Sequence, residues 1–229
     1  MHWNATTEAS STRFQGRWDG WSIMNDEPQR VPKLDLDVID RRMMARCIEL
    51  SREGATAGEL PFGSVIARHD QTIAEATNQV MALKDESRHA EILSIARARQ
   101  LIGDQALTGC TLYTTVEPCP MCSFCIRAAG ISRVVFALGS PRLGGLSQWN
   151  ILGYDDLPLL FGPAPEVVPG ILADDAYKVW TDLNPMIGRA VLWLGYLNEA
   201  TPEGAIKPVR SRYRYSLRRF ISLLSQRRR

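Results

Sequence analysis

The sequence predicts a three-layer α/β/α sandwich, and two patterns carry that expectation. Beyond residue 85, helical and strand-like segments alternate, which demands parallel strand pairing with helices on the faces of a sheet. Ahead of that alternation, two short strand patterns flank a polar turn and read as an antiparallel hairpin, so the sheet is mixed. The 229 residues, 45% of them hydrophobic, suffice for one domain with a full core plus appendages, and nothing marks a second domain. The expected division is an N-terminal extension over 1–33, one domain over 34–200 and a basic tail over 201–229.

Residues 1–33 are polar, broken by Gly16, Gly20, Pro28 and Pro32, and lack sustained periodicity despite Trp3, Trp18 and Trp21, so they read as loosely ordered. From Asp35, Val38, Met43, Ile48 and Leu50 fall among charged helix formers, and Gly54 and Gly58 end this first helix. Phe62–Ala67 reads as a strand, His69-Asp70-Gln71 as an exposed turn and Ile73–Val80 as the antiparallel partner. A helix from about Arg88 to Leu101 follows, then a strand over Thr111–Val116, a helix from Pro120 to about Ala129 and a strand over Arg133–Leu138. Gly139–Gly153 is a glycine-rich connection. Pro158, Pro163, Pro165 and Pro169 punctuate the stretch before a last helix over Ala173–Asp182, where Trp180 is expected in the core.

The chemistry concentrates in His89-Ala90-Glu91 and, thirty residues on, Pro118-Cys119-Pro120-Met121-Cys122. One imidazole and two thiols make three zinc ligands, and a carboxylate two residues from the imidazole can move protons without touching the metal. If Cys119 and Cys122 open a helix, three residues rotate them by roughly 300°, so both sulfurs lie on one face. His89 and Glu91 would diverge by roughly 200° in mid-helix, so they belong to a helix's first turn, with Asp85, Glu86 and Ser87 just upstream as capping or first-turn residues. Two helix N-termini directed at one ion favour thiolate ligands, and zinc lowers the pKa of its water to about 7, making solvent the nucleophile. A structural zinc is the competing reading. It would need a fourth ligand, and Cys125 is the obvious one, although roughly 600° of rotation from Cys119 puts it off that face.

Cys47 and Cys110 read as buried small apolar residues, and five cysteines without a paired framework suit a reducing compartment. The start Met1-His2-Trp3-Asn4 lacks a basic region and an apolar stretch, and no apolar run reaches transmembrane length, so a cytoplasmic protein is expected. Nine basic residues and no acid fall in 207–229, against a chain total of +2, which leaves −7 on the other 206 residues. Tyr213, Leu217, Phe220, Ile221 and Leu224 follow helical spacing in that tail. It reads as a solvated or dimer-packing appendage in preference to a phosphate-binding one, with both readings open.

Together, Glu59-Leu60-Pro61-Phe62-Gly63-Ser64-Val65-Ile66, Asn78, His89-Ala90-Glu91, Thr111-Leu112-Tyr113-Thr114-Thr115 and Glu117-Pro118-Cys119-Pro120-Met121-Cys122 resemble the cytidine deaminase-like superfamily, in its branch of cytosine, guanine and tRNA adenosine deaminases. The resemblance covers about residues 37–183 and implies a three-layer sandwich with a central mixed five-stranded sheet. It implies one catalytic zinc per chain on His89, Cys119 and Cys122, with Glu91 as proton shuttle. It implies Asn78, and with it Gly63, as substrate contacts, and a homodimer. Arg142 and Trp149, in the glycine-rich connection, are further candidates for the pocket entrance.

The expected reaction is hydrolytic deamination of an exocyclic amine on a pyrimidine or purine base or nucleoside. Three readings stay open: a small-molecule deaminase, a tRNA adenosine deaminase acting on nucleic acid, and a zinc-dependent binding module without turnover. The acidic body and the lack of dense basic sequence near the zinc motifs favour the first.

Overall fold

The computed structural model describes residues 33–103, 106–155, 162–193 and 197–199. The N-terminal extension and the basic tail lie outside the described residues.

Helix α1 (Lys33–Thr56) precedes a hairpin of β1 (Gly63–Arg68) and β2 (Gln71–Thr77), whose turn places His69 at φ 55°. A single turn α2 (Val80–Leu83) and helix α3 (Ala90–Ile102) lead to β3 (Cys110–Val116), α4 (Pro120–Ala129) and β4 (Arg133–Gly139). Strand β5 (Glu166–Pro169), helices α5 (Ala173–Leu183) and α6 (Pro185–Trp193), and the two-residue β6 (Asn198–Glu199) complete the described chain. The strand order is β2-β1-β3-β4-β5, with β6 beside β4. The β1 pairings with β2 and β3 are antiparallel, whereas β3-β4 and β4-β5 are parallel, so the sheet is mixed as expected.

Strand alternation builds the layers, because successive side chains leave opposite faces. Val65, Ala67, Tyr113, Val135 and Ala137 face a core shared with Met44, Cys47 and Ile48 of α1 and Val179 and Trp180 of α5. Ile66, Leu112, Val134 and Phe136 face the other core, with Ile95 and Ala98 of α3 and Ile126 of α4. Trp180 is buried, its ring meeting Phe62 edge to face at 5.5 Å, and Cys47 and Cys110 are fully buried.

Helix α6 and strand β6 have no counterpart in the sequence reading, and further assignments differ. The second strand ends at Thr77 rather than Val80, which instead starts α2. Strand β5 occupies part of the proline-punctuated stretch; its Pro169 is tolerable because β5 ends the strand order, where an N–H facing outward has no ladder partner to lose. Helix α3 begins at Ala90, two residues later than expected, because Asp85 spends its side chain on an upstream turn. It accepts from Ser87 N at 2.9 Å, Ser87 Oγ at 2.6 Å and Arg88 Nε at 2.8 Å.

Away from these motifs, α1 is tied to the sheet by a buried charge pair. Arg133 donates to both carboxylate oxygens of Asp40 at 2.7 Å each, and Tyr113 Oη adds a third bond at 2.9 Å. Replacing Asp40→Ala takes the acceptor from the phenol and leaves the mostly buried guanidinium only the exposed Glu166, 3.3 Å from its Nε. We expect a loss of about 3–5 kcal/mol in unfolding free energy, read by urea denaturation; a loss under about 1 kcal/mol would show that solvent reaches Arg133 instead. Among the described residues no helix is long and apolar enough to cross a membrane.

Candidate active site

Helices α3 and α4 start beside one another, and their N-cap residues are His89 and Cys119. Both take an extended backbone, with φ −69° and ψ 150° at His89 and φ −67° and ψ 169° at Cys119, and neither side chain caps its own helix. The first helical bonds form without them, from Leu93 N to His89 O at 3.0 Å and from Ser123 N to Cys119 O at 2.8 Å. The imidazole and the thiol are thereby free to turn toward each other, and Pro120 at the first helical position suits a place that needs no N–H.

The ligand atoms of His89, Cys119 and Cys122 all lie within 4.8 Å of one another. His89 Nδ1 stands 3.6 Å from Cys119 Sγ and 3.5 Å from Cys122 Sγ. A tetrahedral zinc with ordinary Zn–N and Zn–S lengths sets nitrogen and sulfur about 3.6 Å apart, so the donor set fits one zinc through Nδ1. Among the described residues no fourth His, Cys, Asp or Glu joins this group, and Cys125, the candidate for a closed structural site, packs against the α3-α4 core.

The electrostatics favour a thiolate at Cys119. Hydrogen bonding from Cys122, then from His89, lowers the Cys119 thiol to about 4, whereas that bond with Cys119 and burial push Cys122 up. The Cys119 sulfur raises His89 against the opposing effect of its burial. Each helix N-terminus adds roughly half a positive charge.

Glu91, in the first turn of α3, is 5% exposed. Its Oε1 accepts from Thr114 Oγ1 at 3.3 Å and its Oε2 from Cys122 Sγ at 3.6 Å. Burial, followed by the negative Cys119 sulfur, raises its carboxyl above the usual range. An acid that both accepts and returns a proton needs such a shift.

Asn78 follows β2, buried, with Nδ2 donating to Glu59 Oε2 at 2.9 Å. The next residue, Gln79, donates its N–H to Arg88 O at 3.0 Å, which sets the Asn78 backbone beside the segment that carries His89. Gly63 has a packing reason to be glycine, since a Cβ there would collide with Cys47 O and Ser51 N of α1.

Arg142, half buried, and Trp149, 53% exposed, lie on the connection after β4. What holds that connection is Glu117, to which the sequence alone assigns no task. Buried beside Pro118, its carboxylate accepts from Ser140 N at 2.7 Å, Leu146 N at 3.1 Å, Ser147 N at 2.7 Å and the Ser147 hydroxyl. Glu59 and Thr114 were missed in the same way. The available signal was an acid set before a proline or an apolar run, as in Glu59-Leu60-Pro61 and Glu117-Pro118, with no neighbouring base to pair it.

Comparison with known proteins agrees with this geometry. Residues 38–138 match the cytidine and deoxycytidylate deaminase zinc-binding region. A tRNA-specific adenosine deaminase of Bacillus subtilis is 33% identical over 138 residues, 59% of this chain and 83% of that protein. A tRNA(Ile)-lysidine synthase of Deinococcus deserti is 36% identical over 147 residues, 64% of this chain but 27% of that protein, so the chain spans about a quarter of its length. A solved guanine deaminase of Nitrosomonas europaea superposes with a TM-score of 0.52 at 26% identity, covering 63% of this chain and 84% of that one. The His-Ala-Glu and Pro-Cys-Pro-Met-Cys motifs, their convergence on one three-ligand cluster and these matches show that the chain belongs to the cytidine deaminase-like superfamily of zinc-dependent deaminases.

Proposed function

We propose that the chain is a zinc-dependent hydrolytic deaminase that replaces the exocyclic amine of a pyrimidine or purine base or nucleoside with a carbonyl and releases ammonia. The observation that carries this reading is a buried carboxylate, Glu91, set against a three-ligand cluster to which the described residues bring no fourth ligand.

His89, Cys119 and Cys122 hold the metal, which when bound supplies the Lewis acidity that makes water a nucleophile near neutral pH. Glu91 takes a proton from the attacking water and delivers it to the ring nitrogen beside the aminated carbon. The same carboxylate then takes the second proton, from the new hydroxyl on the ring carbon as it becomes the carbonyl, and passes it to the amine, which leaves as ammonia as the C–N bond breaks. Thr114 holds Oε1 while this happens. Asn78 orients the ring or sugar, and Arg142 and Trp149 belong to the entrance.

A small-molecule substrate is favoured over RNA by the use the fold makes of its arginines. Arg46 is bound to Glu49, Glu53 and Glu75, Arg88 to Asp85 and Arg133 to Asp40, while Arg127 is buried against the carbonyls of Ile151, Tyr154 and Gly162. Guanidinium groups engaged by their own acids and carbonyls contribute little to tracking a phosphate backbone. The Bacillus relative supports the tRNA reading as the alternative. Free thiols at the cluster support a reducing, cytoplasmic setting; a homodimer rests on the family resemblance.

Ammonia release by zinc-loaded protein is expected from at least one member of a panel of guanine, adenine, cytosine, their nucleosides and deacylated tRNA. Activity on tRNA alone would overturn the small-molecule reading. In that case removal of residues 207–229 should weaken binding and flatten its salt dependence.

A further inference from the structure

Glu59 stands outside the reaction chemistry, yet it is 6% exposed and fully engaged. Its Oε2 accepts from Asn78 Nδ2 at 2.9 Å and from Met81 N at 3.1 Å, and its Oε1 accepts from Ala82 N at 2.7 Å. One carboxylate therefore holds the side chain of Asn78 and the backbone of α2, the turn that follows it.

An amide side chain can present either its oxygen or its nitrogen to a neighbour, and its two faces differ little in shape. Both oxygens of Glu59 act as acceptors here, for Met81 N and Ala82 N as well as for Asn78, so the amide of Asn78 is set with Nδ2 inward. Oδ1 and the second Nδ2–H are then left for whatever lies on the other side, in a fixed order. Asn78 is 2% exposed, and Glu59 is its side chain's hydrogen-bond partner among the described residues.

We propose that Glu59 is a positioning residue that sets the donor and acceptor order of Asn78 toward the substrate and so contributes to which ring edge the enzyme accepts. The proposal rests on the reading that Asn78 contacts the substrate. Pre-setting the amide spares the complex the cost of sorting two near-equal orientations on binding, and it denies a full set of bonds to a ligand with the opposite polarity. The bonds to Met81 and Ala82 extend the same control to α2, whose exposed Met81 and Leu83 lie within five residues of Asn78.

A double-mutant cycle with Glu59→Gln and Asn78→Ala tests it, on zinc-loaded full-length protein, with the panel member of highest kcat/KM as probe. Glu59→Gln is expected to lower kcat/KM at least 10-fold, chiefly through KM, with zinc content and Tm close to wild type. In the Asn78→Ala background the same change should alter kcat/KM less than 2-fold. A cost undiminished in that background, or no cost where Asn78→Ala itself is damaging, would overturn the proposal. Wild-type kinetics in Asn78→Ala would instead sink the contact on which it rests.

One readout is independent of turnover. The side-chain amide protons of Asn78, observed by 15N NMR, should shift and exchange faster in Glu59→Gln. Unchanged signals would overturn the proposal whatever the kinetics, and this comparison also serves if that variant folds poorly, using Glu59→Asp in its place.

Discussion

Glu91→Ala is expected to bind about one zinc per chain and to lose at least ~10³-fold in ammonia release, within the range for a single general acid-base group. The cause lies in the number of protons it handles. The same carboxylate receives one from water, passes it to the ring and serves the leaving amine, so its removal touches more than one step. No other described acid is placed to substitute, since Glu117 is committed to the amides after β4 and Glu59 to Asn78 and α2. Zinc should remain, because the metal group is His89, Cys119 and Cys122 without Glu91. Metal analysis beside the ammonia assay checks both halves. Loss of zinc together with activity would make Glu91 a ligand or a structural prop, whereas retained activity would remove it from the chemistry. Glu91→Gln, which keeps the size of the side chain and can still meet Thr114, should be as inactive as the alanine variant.

The zinc cluster was legible in the sequence because helical geometry constrains short offsets tightly. A separation of three residues put Cys119 and Cys122 on one face, and a separation of two forced His89 and Glu91 to a helix start, which is where α4 and α3 place them. The two-core sandwich was legible for a related reason, since alternation along each strand leaves one residue in two for each face. What escaped depends on contacts between distant segments. Nothing local shows that Glu59 will meet Asn78, nineteen positions away, or that Glu117 will collect amides from residues 140–147. Asp85 was misread because its side chain found nearer partners in Ser87 and Arg88 than the amides of α3. Strand β5 was hidden by prolines that an interior strand would not tolerate and an edge strand does.

Gly144→Ala is expected to be among the most damaging single-methyl changes in the chain. A Cβ at Gly144 would fall well inside contact distance of both carboxylate oxygens of Glu117, which are already fixed by the amides of Ser140, Leu146 and Ser147. The backbone of Gly144 is not in the left-handed region, so the cost is contact and not conformational preference. Either the connection lifts from the Glu-Pro-Cys segment or Glu117 swings away and leaves buried amides unpaired, each worth about 1–3 kcal/mol. Cys119 lies two residues from Glu117, and Pro118 O accepts from Gly145 N at 2.7 Å, so the disturbance reaches the metal ligands as well as stability. We expect a loss of about 2–4 kcal/mol in urea denaturation, with kcat/KM falling by more than 10-fold. Pairing the change with Glu117→Ala separates the causes. If the clash is with that carboxylate, the double variant should lose clearly less than the sum of the two single losses. Strict additivity, or a Gly144→Ala cost below about 0.5 kcal/mol, would mean that the connection after β4 is not locked to Glu117 in solution.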